Sequence, residues 1–159
     1  EGMLAVHSVS KRSNLAGARI GFYAGDPDLV SYLVETRKHA GLMPPTAMQA
    51  AAAAALDDDA HVAEQRARYA ERRALVRGAL EQHGLIHDGG DTLFYLWLRS
   101  ADNADDGWEL AGLLAHEAGL LVAPGDLYGA SGADHVRLAL VQPRDRLELA
   151  LDRMIRTNA

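Results

Sequence analysis

Two short apolar runs bracket a polar stretch at the start of this chain: MLAVHSV over residues 3–9 and ARIGFYAG over residues 18–25, with SKRSNLAG between them. Each run is too short for an ordinary helix and reads as a β-strand. Both are apolar almost throughout instead of alternating with polar residues. That pattern predicts strands buried on both faces, inside a larger parallel sheet. SKRSNLAG then becomes a loop displayed at the strand ends.

Further along, Asp26-Pro27 is a helix start, an acidic N-cap with proline at the first helical position. Leu29, Val30, Leu33 and Val34 predict a buried stripe on that helix, with Gly41 ending it. Thr46 is positioned to cap an alanine-rich helix running through Leu56, and high helical propensity accounts for the alanines. Asp57 to Asp59 lead into a long helix over HVAEQRARYAERRALVRGALEQHG. Val62, Tyr69, Val76 and Leu80 share one face of it, and its charges form a solvated face. TLFYLWL (92–98) reads as a strand, GWELAGLLAHEAG as an amphipathic helix, and LLVA (120–123) as a strand. APGDLYGASG reads as a flexible glycine-rich loop and HVRLALV (135–141) as a strand. A terminal helix follows, with Leu147, Leu151, Met154 and Ile155 on its buried side. The order helix, strand, helix, strand, strand, helix predicts a small α+β domain.

At 159 residues the chain is long enough for a core of its own. Its net charge of −6 points away from nucleic acid and anionic membrane surfaces. No apolar run approaches the roughly 18 residues of a membrane span, and no signal peptide is visible, so a cytoplasmic setting is expected. There is no cysteine, which removes thiolate chemistry and disulfides. Seven histidines are present, but His83 and His87 flank a glycine turn and no metal-ligand spacing occurs.

Fourteen of the sixteen basic residues are arginine, which makes Lys11 conspicuous; Lys38 is the other lysine. Arginine keeps its proton in proteins, whereas a deprotonated lysine amine can attack a carbonyl. Ser8, Ser10 and Arg19 surround it in sequence, and hydroxyls with a guanidinium suit a phosphate. The combination fits a phosphorylated aldehyde, anchored through its phosphate and joined covalently to Lys11; pyridoxal 5′-phosphate is such a molecule.

Ser8-Val9-Ser10-Lys11, followed by Gly17-Ala18-Arg19-Ile20-Gly21, resembles the cofactor-lysine signature of fold-type I pyridoxal-phosphate aminotransferases, S-x-S-K then G-x-R-x-G. Ala18 departs from the tyrosine common at its position. The resemblance implies that Lys11 bonds to the cofactor and that Ser8, Ser10 and Arg19 hold its phosphate. It further implies a substrate-carboxylate arginine on a strand after a proline-glycine loop. Pro124-Gly125-Asp126-Leu127-Tyr128-Gly129, then His135-Val136-Arg137-Leu138, matches that order, so Arg137 takes the role. Strand alternation sets Arg137 opposite Val136, Leu138 and Leu140. KRSNLAGARIGFYAGDP, RKHAGLMPPTAMQAAAAAAL and DDAHVAEQRARYAERR are similar to actinobacterial succinyldiaminopimelate aminotransferases.

On this resemblance the fold class is α/β. Residues 1–60 form the C-terminal end of a large cofactor-binding domain and 61–159 a small α+β domain. Only ten residues precede Lys11, so the aspartate and the stacking aromatic that such enzymes place before the lysine are expected in a preceding half. The implied activity is transfer of an amino group from glutamate to a keto or aldehyde acceptor, first N-succinyl-2-amino-6-oxopimelate. Aspartate, aromatic and acetylornithine types are the alternatives. The family also implies homodimers, with His39 to Pro45 where partner contacts occur. A catalytically inert binding or dimerisation fragment is the reading from a different class.

Overall fold

The computed structural model describes residues 2–92, 94–102 and 106–157. It divides into two compact units, Glu1–Gln65 and Arg66–Ala159. In the first, β1 (Leu4–Ser8) and β2 (Gly21–Gly25) pair antiparallel, with Leu4 opposite Gly25 and Ser8 opposite Gly21. The expectation of buried strands in a parallel sheet is corrected here. The pair is an antiparallel ribbon whose faces are largely open, with Met3 76% and Val6 72% exposed. Only Val9 and Ile20, at the closed end of the ribbon, are buried, together with Ala52.

The segment between the strands is not simply a loop. Ser8 caps a single helical turn, α1 (Val9–Arg12), by accepting from the Ser10 N–H at 3.2 Å. Its small hydroxyl satisfies a backbone donor that the turn leaves orphaned. Arg12 then reaches the C-terminal end of α3 (Thr46–Asp57), donating to the carbonyls of Ala55 (2.7 Å) and Leu56 (3.3 Å) and pairing with Asp59. A cation at these orphan carbonyls complements the helix dipole. Thr46 proves to be the first residue of α3, capped by the Pro45 carbonyl rather than by its own side chain. In α2 (Pro27–His39) Asp26 caps as expected, accepting from Asp28 and Leu29. The expected stripe is not buried, however: Leu29 and Val34 stay exposed, and Val30 and Leu33 are only half covered.

The second unit holds a four-stranded antiparallel sheet in the order β3-β4-β6-β5. Its strands are β3 (Leu85–His87), β4 (Tyr95–Ser100), β5 (Ala123–Pro124) and β6 (His135–Ala139). Strand β4 starts three residues later than TLFYLWL suggests and ends two later, and Leu93 lies outside the described residues. LLVA contributes only Ala123 to β5. The core packs one face of the sheet, through Leu96, Leu98, Val136 and Leu138, against the helices. These are α4 (Ala60–Gln82) through Val76 and Leu80, α5 (Gly107–Ala118) through Leu110 and Leu114, and α6 (Arg144–Thr157) through Leu147, Leu151 and Met154. The Ile155 side chain lies outside the described residues. The alternation along β4 and β6 is what leaves Tyr95, Trp97 and Arg137 for the other face.

Candidate active site

Lys11 is exposed on α1, beside the anchored Arg12. Ser8 and Ser10 share that turn. Ser8 Oγ donates to the Ile20 carbonyl at 3.4 Å, and the Val9 N–H donates to the same oxygen. These bonds tie α1 to the residue after Arg19, so all four predicted residues, Ser8, Ser10, Lys11 and Arg19, gather at one end of the ribbon. Arg19 adopts the left-handed region, φ 54° and ψ 43°, at the end of a short 3-10 turn over Ala16–Ala18. That conformation costs a non-glycine residue roughly 1–2 kcal/mol, and such strain concentrates at functional sites. Its guanidinium donates to the Ala16 carbonyl at 3.0 Å. Gly21 has a separate reason to be glycine: a Cβ there would meet the His7 carbonyl oxygen at 2.6 Å. The second glycine of the motif therefore lets the two strands close.

As a donor set, two hydroxyls, a guanidinium and a primary amine on an open turn fit a phosphate together with an aldehyde. Sequence reasoning missed Arg12, which fixes the turn from below. Its one signal was the adjacent basic pair, and nothing local reveals that one member faces a helix terminus 43 residues away.

In the second unit Arg137 lies opposite the buried Val136 and Leu138, in register with Trp97. Its Cζ sits 4.4 Å from the Tyr95 ring centroid and 4.7 Å from that of Tyr128. Its Nε is buried without a hydrogen-bond partner among the described residues. Tyr128 arrives on a 3-10 turn, Gly125–Tyr128, within the stretch expected to be a loop; Gly125 is buried and the other three residues are exposed. A Cβ on Gly125 would strike the Gly132 carbonyl at 2.2 Å and the Trp97 ring at 2.8 Å.

On the same face His135 stacks on Trp97 at 5.1 Å. Its two ring nitrogens lie 2.6 Å from Asp134 and 3.1 Å from Asp88. Asp88 also accepts from Arg99. The Arg99 guanidinium, and then the His135 ring, hold the Asp88 carboxyl below the usual carboxylate range. Asp134 is lowered likewise, chiefly by His135. Neither the tyrosines nor this cluster was singled out from the sequence, because cross-strand register decides who stands beside Arg137.

The family model for aminotransferase class I and II matches residues 1–154. This chain belongs to that family. The cofactor of the family is pyridoxal phosphate, and the donor set around Lys11 suits it. The chain is 50% identical over 153 residues to "Probable aminotransferase Rv1178" of Mycobacterium tuberculosis, covering 96% of this chain and 36% of that protein. It is 46% identical to the 4-dedimethylamino-4-oxo-anhydrotetracycline transaminase OxyQ of Streptomyces rimosus (97% and 42% covered). It is 34% identical to an LL-diaminopimelate aminotransferase of Aquifex aeolicus (93% and 38%). Among solved structures, an aromatic aminotransferase from Pyrococcus horikoshii OT3 superposes with a TM-score of 0.84 at 31% identity, over 97% of this chain and 42% of that one. The fold is thus the α/β architecture of fold-type I aminotransferases. The chain spans about two-fifths of the length of these relatives.

Proposed function

We propose that this chain supplies the cofactor-lysine segment and the substrate-carboxylate arginine of a pyridoxal-phosphate-dependent aminotransferase. The observation that carries the reading is the gathering of Ser8, Ser10, Lys11 and Arg19 at one end of the ribbon, on a turn secured by Arg12. Ser8, Ser10 and Arg19 would hold the cofactor phosphate, and the Lys11 amine would stand at its aldehyde carbon. When bound, the cofactor supplies an electron sink for the substrate Cα–H bond. Lys11 would hold and move a proton at the substrate Cα. Arg137 grips the α-carboxylate with paired N–H bonds and so orients that Cα–H bond.

The donor in this reading is glutamate. The acceptor is N-succinyl-2-amino-6-oxopimelate, for lysine and diaminopimelate synthesis in a cytoplasmic homodimer. The motif stretches around Lys11 and Pro44-Pro45 support that acceptor, and the diaminopimelate-type relative is compatible with it. A second reading, an aromatic acceptor, draws on the Tyr95, Trp97 and Tyr128 rings around Arg137.

The test is an acceptor panel with glutamate as donor, run on the full-length enzyme that contains this chain. The succinylated substrate should give the highest kcat/KM. Equal or faster turnover of a phenylpyruvate or oxaloacetate removes the acceptor assignment. Normal turnover by Lys11→Ala removes the aminotransferase assignment itself.

A further inference from the structure

We infer that Tyr95 and Tyr128 are positioning residues for Arg137, holding its guanidinium by ring contact so that its charge and N–H groups stay available to a substrate carboxylate. This rests on the assignment of Arg137 as the carboxylate-binding residue. A half-buried guanidinium needs stabilisation, and an acidic neighbour is the common solution. Such a neighbour would also neutralise the cation and compete with the substrate. Here the nearby acids are engaged elsewhere, Asp88 by Arg99 and His135, and Asp134 by His135. Among the described residues no carboxylate pairs with Arg137, and its buried Nε has no acceptor. No protein acceptor therefore competes with a substrate for this guanidinium through Nε.

The rings provide what the acids do not. Both Cζ-to-centroid distances, 4.4 and 4.7 Å, fall inside the roughly 6 Å reach of a cation–π contact. The negative ring face attracts the cation without accepting a conventional hydrogen bond. Each ring is itself held. Tyr95 stands on β4, two pairs along from Trp97 and so on the same face as Arg137. Tyr128 meets Trp97 edge-on at 5.8 Å and 73°. Trp97 is in turn stacked on His135.

The test uses steady-state kinetics of the full-length enzyme with glutamate as donor and the fastest α-keto acid of the acceptor panel as the second substrate. Tyr95→Leu and Tyr128→Leu should each raise KM for both substrates by roughly 3- to 30-fold, with kcat within about twofold. Tyr95→Phe and Tyr128→Phe keep the ring face and should restore near-native KM. In an Arg137→Ala background, Tyr128→Leu should change KM no further. If the Phe variants lose as much as the Leu variants, the hydroxyls and not the ring faces matter, and the inference falls. It falls equally if the Leu variants leave KM unchanged while Arg137→Ala raises it, an outcome that spares the carboxylate-binding assignment. If Arg137→Ala itself leaves KM unchanged, that assignment fails and takes the inference with it. Tyr128 is half exposed, so its substitution does not threaten the core.

Discussion

Arg12 spends its guanidinium on the end of a helix, while Lys11, one residue earlier, stands exposed beside it. A charge-preserving change at Lys11 therefore tests the proposed amine chemistry without touching the structural cation. Lys11→Arg should abolish turnover of the full-length enzyme nearly as fully as Lys11→Ala, since a guanidinium cannot bond to the aldehyde. Single-turnover absorbance changes would check it. Arg137→Ala should weaken transition-state binding by about 2–5 kcal/mol, read as kcat/KM, while bound cofactor per subunit stays unchanged. Loss of cofactor in that variant would place Arg137 at the wrong group. Asp88 gives a pH prediction. Its folded-state value is depressed by Arg99 and then His135, so its contribution is present above the ordinary carboxylate range and lost as pH falls through the lowered value. Stability to chemical denaturant should fall in an acid transition below the ordinary carboxylate range. Asp88→Asn should remove that acid transition.

At the scale of elements, legibility followed the strength of local signals. Helix α5 was readable because its period is apolar and Gly119 ends it in the left-handed region. The structure adds a capping box, in which Asp106 accepts from the Trp108 and Glu109 N–H groups and Glu109 reaches back to the Asp106 N–H. Asp106→Ala should cost about 0.5–2 kcal/mol, measured by chemical denaturation. Helix α1 was missed because four residues carry no period, and its cap depends on Ser8 lying at the end of a strand. The apolar stripe expected on α2 was read correctly as composition and wrongly as burial, since periodicity reports which face is apolar but not what covers it.

Across the whole molecule the two units differ sharply in core. Among the described residues, the unit from Arg66 onward encloses fourteen buried residues in one cluster, whereas the cluster formed by Val9, Ile20 and Ala52 has three. Burial is the main source of stability. A polypeptide of residues 60–159, which keeps α4 whole, should therefore unfold cooperatively on heating, with dispersed amide resonances when cold. Residues 1–59 alone should show neither. Cooperative melting of the shorter piece would overturn this account.

What the sequence determined by itself was local order and a candidate chemistry: Lys11 with Ser8, Ser10 and Arg19 near it in the chain, Arg137 on the face opposite an apolar one, and most helices. These depend on residues within a few positions of one another, where spacing is geometry. What only the tertiary structure decided was company. Register between β4 and β6 placed Tyr95 and Trp97 beside Arg137, close packing of two glycines brought Tyr128, and Arg12 found the end of α3. The first and last of those contacts join segments far apart in the chain, and their pairing is set by how the sheet and helices pack.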